Sequence, residues 1–438
     1  MTAPTLEADP VTGPASSGTR ALDALELAAP DRGSARRLRA ERRPFAEIRR
    51  ETWDGLAARN PWATPFSAWS FHRAWWDGYG ESAHEQTLVV VDPDRPADAE
   101  PVAIVPLMHR HVVEASDAAT HTMIRHGARP DLTPVEPTAK AIYFGASYHA
   151  DYATVLADPA DLPVVADAVA ESLGAEARVD PDHPAAWDVV DLRRLRRGDH
   201  AGEALAAAFG SREMAEDWTL NLEREEVCPV TTLPAIGDID AFLATLGKKE
   251  RHEIRRKVRR AETHGGLRFV ESRDALGPAM LDDGPAPDAR GRTDLEIFID
   301  LHQARWGADG LFPETPGGAQ SRVFVRRLFE EFGRTTGAVA DCPIRLNFLW
   351  IRDLRVAASI HFETADSILY YNAGIDPDWR GLSPGVLLVW SLVQRALATG
   401  RTRLDFLRGD EPYKYEWGAR DEPIQRLLVR RNVSSGSA

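Results

Sequence analysis

Residues able to hold an anion or move a proton crowd into the second half of this 438-residue chain. The first group is Arg380-Gly-Leu-Ser-Pro-Gly385, set between an apolar strand-like run and an apolar helical one. Backbone N–H groups at a helix start lack intrahelical partners and carry partial positive charge. Such a start suits a phosphate or diphosphate. Pro384 fits the first helical turn, where its missing N–H costs nothing, and Gly385 allows close approach. Arg380, Gly381, Ser383 and Gly385, with Asn372 ending the preceding strand, are the candidate anion contacts. An ordinary helix start capped by Ser383 would have the same spacing.

The second group is a basic helix. Eight of the thirteen residues from Lys248 to Arg260 are Lys or Arg. Ile254, Val258 and Ala261 share one face, which predicts packing inward. Arg251, Arg255 and Arg259 share another at four-residue spacing. The chain as a whole has a net charge of −14, so it is no general nucleic-acid binder and this stripe is local. It points to an anionic ligand or to a solvated helix face.

The third group runs from Asp405 to Trp417. Asp405 lies in an apolar strand-like run, and a carboxylate buried there needs a partner or a purpose. Arg408 and Lys414 follow, with Tyr413 and Tyr415 flanking the lysine and Glu411 nearby. A positioned carboxylate takes a proton from an attacking amine, and cations offset a developing oxyanion. His361 shares a strand face with Ser359 and Glu363, so it is either a second proton acceptor or a satisfied core histidine. Arg305, with His302, lies on a helix ending at Trp306-Gly307 and is a candidate substrate contact.

Other chemistries lack their motifs. His109, His111, His121 and His126 have no HExxH and no cysteine partner, which predicts no metal. No GxSxG, Walker A or GxGxxG is present. Cys228 and Cys342 are the only cysteines and are far apart, which fits a reducing compartment. No apolar run reaches the roughly 20 residues that span a bilayer, and the N-terminus has no basic-then-apolar leader. The expected location is the cytoplasm.

These groups need elements to position them. Residues 1–40 read as a disordered tail rich in Ala, Pro, Ser and Gly. Helices are predicted over Phe45–Ala58 and Ser67–Gly78, strands over Thr87–Val91, Val102–Leu107 and Ala141–Phe144, a helix over Asp161–Leu173 and a strand over Trp187–Asp191. A short strand at Leu267–Val270 and a Gly- and Pro-rich loop at Gly277–Arg292 open the second half. Helices Asp294–Trp306 and Ser321–Phe332 follow, then strands Ile344–Ile351, Val356–Phe362 and Ile368–Asn372, helix Pro384–Ala398, and strands Arg403–Leu407 and Ile424–Val429. Two helices, a three-strand meander, a helix and a strand thus occur twice, which predicts a duplicated α/β unit. The expected division is 41–235 and 236–432.

This order resembles the GNAT fold. Four stretches make the second half more narrowly similar to BioF2-like or CelD-like acetyltransferases, close to the Fem aminoacyltransferases. They are the basic helix, Leu301-His-Gln-Ala-Arg-Trp-Gly307, Tyr370 to Gly385, and Leu404 to Gly418. The resemblance implies tandem GNAT-like units of mixed α/β class, each a mostly antiparallel sheet flanked by helices. It implies acyl transfer from acyl-coenzyme A, first of all acetyl-coenzyme A, to an amine of a small molecule, sugar or peptide by direct attack. The GNAT donor loop reads (Gln/Arg)-x-x-Gly-x-(Gly/Ala); Arg380 and Gly385 match, and Ser383 stands at the middle glycine. Asp405 becomes the first candidate base, with Lys414, His361 and Tyr413 as further catalytic candidates. Arg251, Arg255, Arg305, Arg408, Glu411 and Tyr415 become candidate substrate contacts. The turn Gly145–Asp151 lacks the donor pattern, so the first unit is expected to complete an acceptor cleft between the halves. Two rival readings are aminoacyl transfer from a charged tRNA, and an inactive GNAT-like module that binds a polysaccharide precursor.

Overall fold

The computed structural model describes residues 36–432 apart from 111–131, 137, 181, 273–290 and 336–341. Most of the expected N-terminal tail, three of the four clustered histidines and nearly all of the Gly- and Pro-rich loop lie outside the described residues. His109 is described and is fully buried.

Strands β1 (Arg39–Arg42), β3 (Leu88–Val91), β4 (Ala103–Val105) and β7 (Leu156–Ala157) form a small four-stranded sheet. Helices α1 (Arg50–Arg59) and α2 (Trp69–Tyr79) accompany it. Their sequence spacing puts Trp53, Leu56, Phe71 and Trp75 inward, and all four are buried. The indole of Trp53 donates to Ser67 O at 2.9 Å, which satisfies its one polar atom where water cannot.

The large sheet has eleven strands in the order β10-β11-β12-β13-β14-β9-β15-β8-β6-β5-β2. In its N-terminal half β2 (His84–Glu85), β5 (Leu107–Arg110) and β6 (Ala141–Phe144) are antiparallel neighbours. A crossover through α3 (Leu162–Ala177) brings β8 (Val189–Arg196) parallel to β6. In the C-terminal half β10 (Leu267–Glu271), β11 (Ile344–Ile351), β12 (Leu354–Glu363) and β13 (Ser367–Ile375) form the meander. A crossover through α10 (Pro384–Ala398) brings β14 (Arg403–Asp405) parallel to β13. The expected repeat is therefore present as the same pairing pattern twice: antiparallel, then parallel across a helix.

The strand that follows each parallel pair crosses over. After α4 (His200–Gly210) and the single turn α5 (Glu213–Glu216), β9 (Trp218–Thr232) leaves the N-terminal half and pairs with β14. β15 (Arg420–Arg431) leaves the C-terminal half and pairs with β8. β9 and β15 lie antiparallel against each other, from Arg420 opposite Val230 to Arg431 opposite Trp218. One hydrogen-bonded sheet thus runs through both halves, and the expected boundary at 235 falls just after a strand that belongs to the other half's sheet. β9 has no counterpart among the sequence-predicted elements. Its Glu223-Arg-Glu-Glu226 centre hides the apolar alternation, and Pro229 argues against an interior strand. Pro229 still takes part in the sheet through its carbonyl, which accepts from Phe406 N at 3.0 Å.

Charges buried at this seam are paired. Asp191 on β8 accepts from Arg193 and from Arg426 of β15, the latter at 2.7 and 2.9 Å. Arg426 also reaches Glu223 of β9 at 3.1 Å. Burial alone would raise the Asp191 carboxyl, but the two guanidiniums hold it down at about 2.

Helices α6 (Ile239–Thr245), α7 (Lys248–Glu262) and α10 pack in one apolar cluster with the inner faces of β12 and β13. As its spacing predicts, α7 buries Ile254, Val258 and Ala261. Helix α8 (Asp294–Trp306) starts at a capping box, with Glu296 N on Thr293 Oγ1 at 3.3 Å and Thr293 N on the Glu296 carboxylate at 2.8 Å. It stops at Gly307, whose φ is +58°. Between these ends α8 crosses β13 so closely that a Cβ on Gly374 would stand 2.5 Å from His302 N and 2.7 Å from Leu301 C. Both are backbone atoms, so neither can rotate away. Gly374→Ala is therefore expected to cost about 3 kcal/mol, the upper end for overpacking, as a lower midpoint in denaturant melts; an unchanged midpoint would show that α8 is free to lift.

Candidate active site

The parallel pair β13–β14 holds for three residues only: Ser367 with Arg403, Ile368 with Leu404, and Leu369 with Asp405. Beyond Leu369 the strands part. Phe406 N turns to Pro229 O of β9, while β13 continues to Ile375. Across β13 the register with β12 shifts, since His361 faces Tyr370 but Ile360 faces Asn372. Tyr371 is the extra residue of this bulge, and a bulge leaves its residue outside the ladder. The result is a wedge-shaped cleft. Tyr370, Tyr371, Asn372 and Ala373 form one wall, and Phe406, Leu407 and Arg408 form the other. Arg305 and Trp306 come in from the end of α8, and Glu411, Tyr413 and Lys414 from the segment around α11 (Pro412–Tyr415). The N-terminal half adds Asp151.

The second wall is a constrained turn. Leu407 has φ +57° and Gly409 φ +109°. A left-handed leucine costs on the order of 1–3 kcal/mol and persists only where its surroundings fix it. Asp405 Oδ1 accepts from Leu407 N at 2.8 Å on one side. On the other, the buried ammonium of Lys414 donates to the carbonyls of Leu407, Arg408 and Gly409 at 3.2, 2.7 and 3.0 Å, and pairs with Glu411 at 2.9 Å. Lys414 lines the cleft, but the turn already engages its donors. The turn presents Arg408, whose Nε donates to Asp151 Oδ1.

The N-terminal half docks here through residues 145–152. Tyr152 Oη donates to Asp405 Oδ2 at 2.7 Å, and Tyr371 Oη donates to His149 O at 3.0 Å. The His149 ring stacks on Phe324 of α9 (Pro316–Thr335) at 4.1 Å and meets Tyr79 Oη at 2.8 Å. In the N-terminal unit, the turn after β6 lies beside α2: a Cβ on Gly145 would be 3.4 Å from Nδ1 of buried His72.

The structure brings six of the fifteen sequence candidates together in one cleft and places the others elsewhere. Asn372, Arg305, Arg408, Glu411, Tyr413 and Lys414 share the cleft. Asp405 is 6% exposed and sits behind the wall, with its carboxyl raised to about 6 by burial against the pull of the Tyr152 hydroxyl and the Leu407 N–H. It reaches the cleft through the turn it holds. His361, expected as a second base on the ligand face, is fully buried in an ionic network instead. Its Nε2 lies 3.4 Å from Glu363, which also binds Arg395 and Arg401, and burial lowers its pKa despite that carboxylate. Tyr415 turns away and donates to Asp421 at 2.6 Å. Asp151, Trp306, Tyr370, Tyr371 and Phe406 are cleft residues that were not singled out. The doublet Tyr370-Tyr371 was the available signal, since two adjacent tyrosines cannot both face the core of a flat strand.

The donor-loop candidates lie at the far end of β13. Asp376 caps a short 3-10 helix over Pro377–Leu382, accepting from Asp378 N at 3.0 Å. Ser383 then takes φ +57° and α10 begins at Pro384. The serine cap of the ordinary-helix alternative is absent: the Ser383 hydroxyl makes no capping bond, and its carbonyl receives Val386 N and Leu387 N at 3.0 and 3.4 Å. Arg380 is exposed. Helix α7 flanks this turn, with Arg260 Nη2 at 3.7 Å from a Cβ built on Gly381. The two anion features of the sequence therefore adjoin. Arg255 pairs with Asp240 at 2.6 Å, and Arg251, His252, Arg255 and Arg259 border a shallow surface groove with Lys248.

A wedge between parallel strands, a bulge in the first of them and a helix start just beyond it set the frame for comparison with known proteins. The family model described as acetyltransferase (GNAT) domain matches residues 248–415. Residues 248–415 are thus a GNAT acetyltransferase domain. The fold of the chain is that of FemX, at 10% identity and a TM-score of 0.52 over 87% of this chain and 96% of that one. A conserved protein of unknown function from Bacteroides thetaiotaomicron VPI-5482 aligns at 11% identity and TM-score 0.46, over 90% and 99% of the two chains. A tandem GNAT protein from the clavulanic acid biosynthesis pathway aligns at 10% and 0.43, over 91% and 100%. The search of curated proteins finds no match. The chain thus has the fold of FemX, and the matched GNAT segment covers the wedge, the turn and α7. Among the described residues no helix is long and apolar enough to cross a membrane, and no group of three His, Cys, Asp or Glu could hold a metal.

Asp405 yields a prediction with a definite sign. Its pKa rises from 3.8 to about 6 on folding, so the neutral form stabilises the fold in acid, and that contribution is lost as pH climbs through about 6. The loss is on the order of 2–3 kcal/mol. Asp405→Asn is expected to remove this part of the profile, read as the wild-type minus variant stability from acid to neutral pH. Parallel profiles would place the carboxyl's titration elsewhere.

Proposed function

We propose that the protein moves an acyl group from acyl-coenzyme A, in the first instance acetyl-coenzyme A, to an amine by direct attack. The observation that carries this reading is the wedge: it opens where β13 and β14 part, and β13 leads from it directly to the Arg380–Gly385 turn. Asn372, Arg380, Gly381, Ser383 and Gly385 are the residues we assign to the donor. The Gly385 amide at the α10 start and the Arg380 guanidinium receive its diphosphate. Arg251 and Arg255 on adjoining α7 supply further positive potential. The bulge at Tyr371 offers a backbone donor to the thioester carbonyl, where negative charge develops during attack.

The acceptor enters from the α8 side. Tyr413 lies on the cleft and can protonate the departing thiolate. Asp405 and Lys414 act by holding the Leu407–Gly409 turn, so they position Arg408 and do not touch substrate. Direct attack agrees with the cysteines, since Cys228 and Cys342 are both buried and unsuited to carry an acyl group. The acceptor is the amine of a small molecule, sugar or peptide, and the reaction belongs in the cytoplasm, where acyl-coenzyme A is found. We further assign residues 41–235 to an N-terminal unit that binds no donor and contributes Asp151, and 236–432 to the acyltransferase unit, with β9 and β15 exchanged between them.

A second reading, aminoacyl transfer from a charged tRNA, is favoured by one observation. Helix α7 presents Lys248, Lys249, Arg259 and Arg260 to solvent on a chain of net charge −14. Calorimetry separates the readings. Wild type is expected to bind acetyl-coenzyme A, and Arg380→Ala to bind it roughly tenfold more weakly, the worth of one charge-assisted contact. Equal binding by the two would remove the donor turn. Product mass after incubation with an amine panel and either donor identifies the group transferred; binding without any transfer would mark an inactive binding module.

A further inference from the structure

The charges lining the cleft do not balance. Five charged side chains face it: Asp151, Arg305, Arg408, Glu411 and Lys414. Four are paired within the cleft wall, Arg408 with Asp151 and Lys414 with Glu411. Arg305 remains. Its guanidinium lies 4.6 Å over the Trp306 ring and meets the Tyr370 hydroxyl, and among the described residues it has no carboxylate partner. It is held at the C-terminal end of α8, which the close contact at Gly374 fixes against β13. On so acidic a protein, an unmatched guanidinium stacked on an indole in a cleft is an anion receptor with its fork already oriented.

From this we propose that the acceptor amine carries its own carboxylate, and that Arg305 receives it. The substrate class is the amino acid or short peptide with a free carboxylate. The proposal rests on the acyl-transfer reading and deepens it. Three observations narrow the anion. The donor's diphosphate is assigned to the Arg380–Gly385 turn beyond Ile375, whereas Arg305 sits at Tyr370 to Ala373. The surplus of one positive charge suits a monoanion, and a phosphate dianion would leave excess negative charge beside Asp151 and Glu411. Those same carboxylates can accept from the N–H groups at the other end of the acceptor, which attacks as the neutral amine. In the reaction the amine nitrogen bonds to the acyl carbon, the carbon–sulfur bond breaks, and the amine proton is lost as the thiol forms. The carboxylate is unchanged, so Arg305 governs acceptor affinity and orientation.

Calorimetry on the full chain tests this without requiring turnover. The probes are N-acetylated amino acids, which represent products, their neutral carboxamides, and acetyl-coenzyme A. In wild type the acids are expected to bind roughly ten- to a hundredfold more tightly than the matching amides. Arg305→Gln should abolish that difference while binding acetyl-coenzyme A as wild type does, which also shows that the variant is folded. Equal binding of acids and amides to wild type overturns the proposal, as does loss of acetyl-coenzyme A binding alone in a folded variant, because Arg305 would then serve the donor. If acetyl-coenzyme A binds and no acid does, the acceptor class is wrong but the donor site stands. If neither binds, the acyl-transfer reading fails as well.

Discussion

The antiparallel pair β9–β15 is the constraint on which the rest of this structure depends. Each strand continues one half of the chain and completes the sheet of the other, so neither half has a finished sheet without its neighbour. An unpaired strand edge in either half would leave a row of buried amides and carbonyls without partners. The Asp191–Arg426–Glu223 contacts tie the three central strands with charges that are costly to bury and costlier to separate. The relative position of the halves is thereby set by backbone hydrogen bonds and not by a soft interface.

That rigidity has a chemical use. The cleft draws its walls from β13, from the turn after β14 and from α8, and one carboxylate, Asp151, from the other half. Asp151 meets Arg408 only because Tyr152 and Tyr371 dock residues 145–152 against the same wall. The left-handed Leu407 at the centre of that wall is held by Asp405 and Lys414, two groups that chemical intuition would assign to catalysis. Their burial and full sets of partners show them spending their bonding capacity on shape. On the proposed reading the chemistry falls to groups at the surface of the wedge, where β13 and β14 separate.

Several of these features were legible in the residues. The basic face of α7 and its apolar seam, the capping box of α8, and the Pro384 start of α10 follow from local rules that need no tertiary partner. The in-place likeness of Ile142-Tyr-Phe-Gly145 to Leu369-Tyr-Tyr-Asn372 corresponds to two strands, β6 and β13, with the same parallel partner arrangement. β9 was not legible. Its Glu223–Glu226 centre is charged throughout, and what makes it a strand is a neighbour on each side, more than 170 residues away in sequence for both. The sequence left His361 open between a second base and a core histidine for a related reason: strand alternation gives its face but not whether ligand or an Arg395–Glu363 network covers that face.

The sequence by itself determined the elements, their repeated order and the type of anion site that a helix start offers, because these depend on spacing along a few turns of chain. Only the tertiary structure decided which candidates meet. It separated Asp405 from the cleft by one strand wall, joined the Arg380 turn to α7, and carried Asp151 across the seam to Arg408. Among the described residues it also left Arg305 without a carboxylate partner. Pairings of this kind depend on strand order and on the divergence of β13 from β14, quantities set by long-range hydrogen bonding that no local pattern of residues encodes.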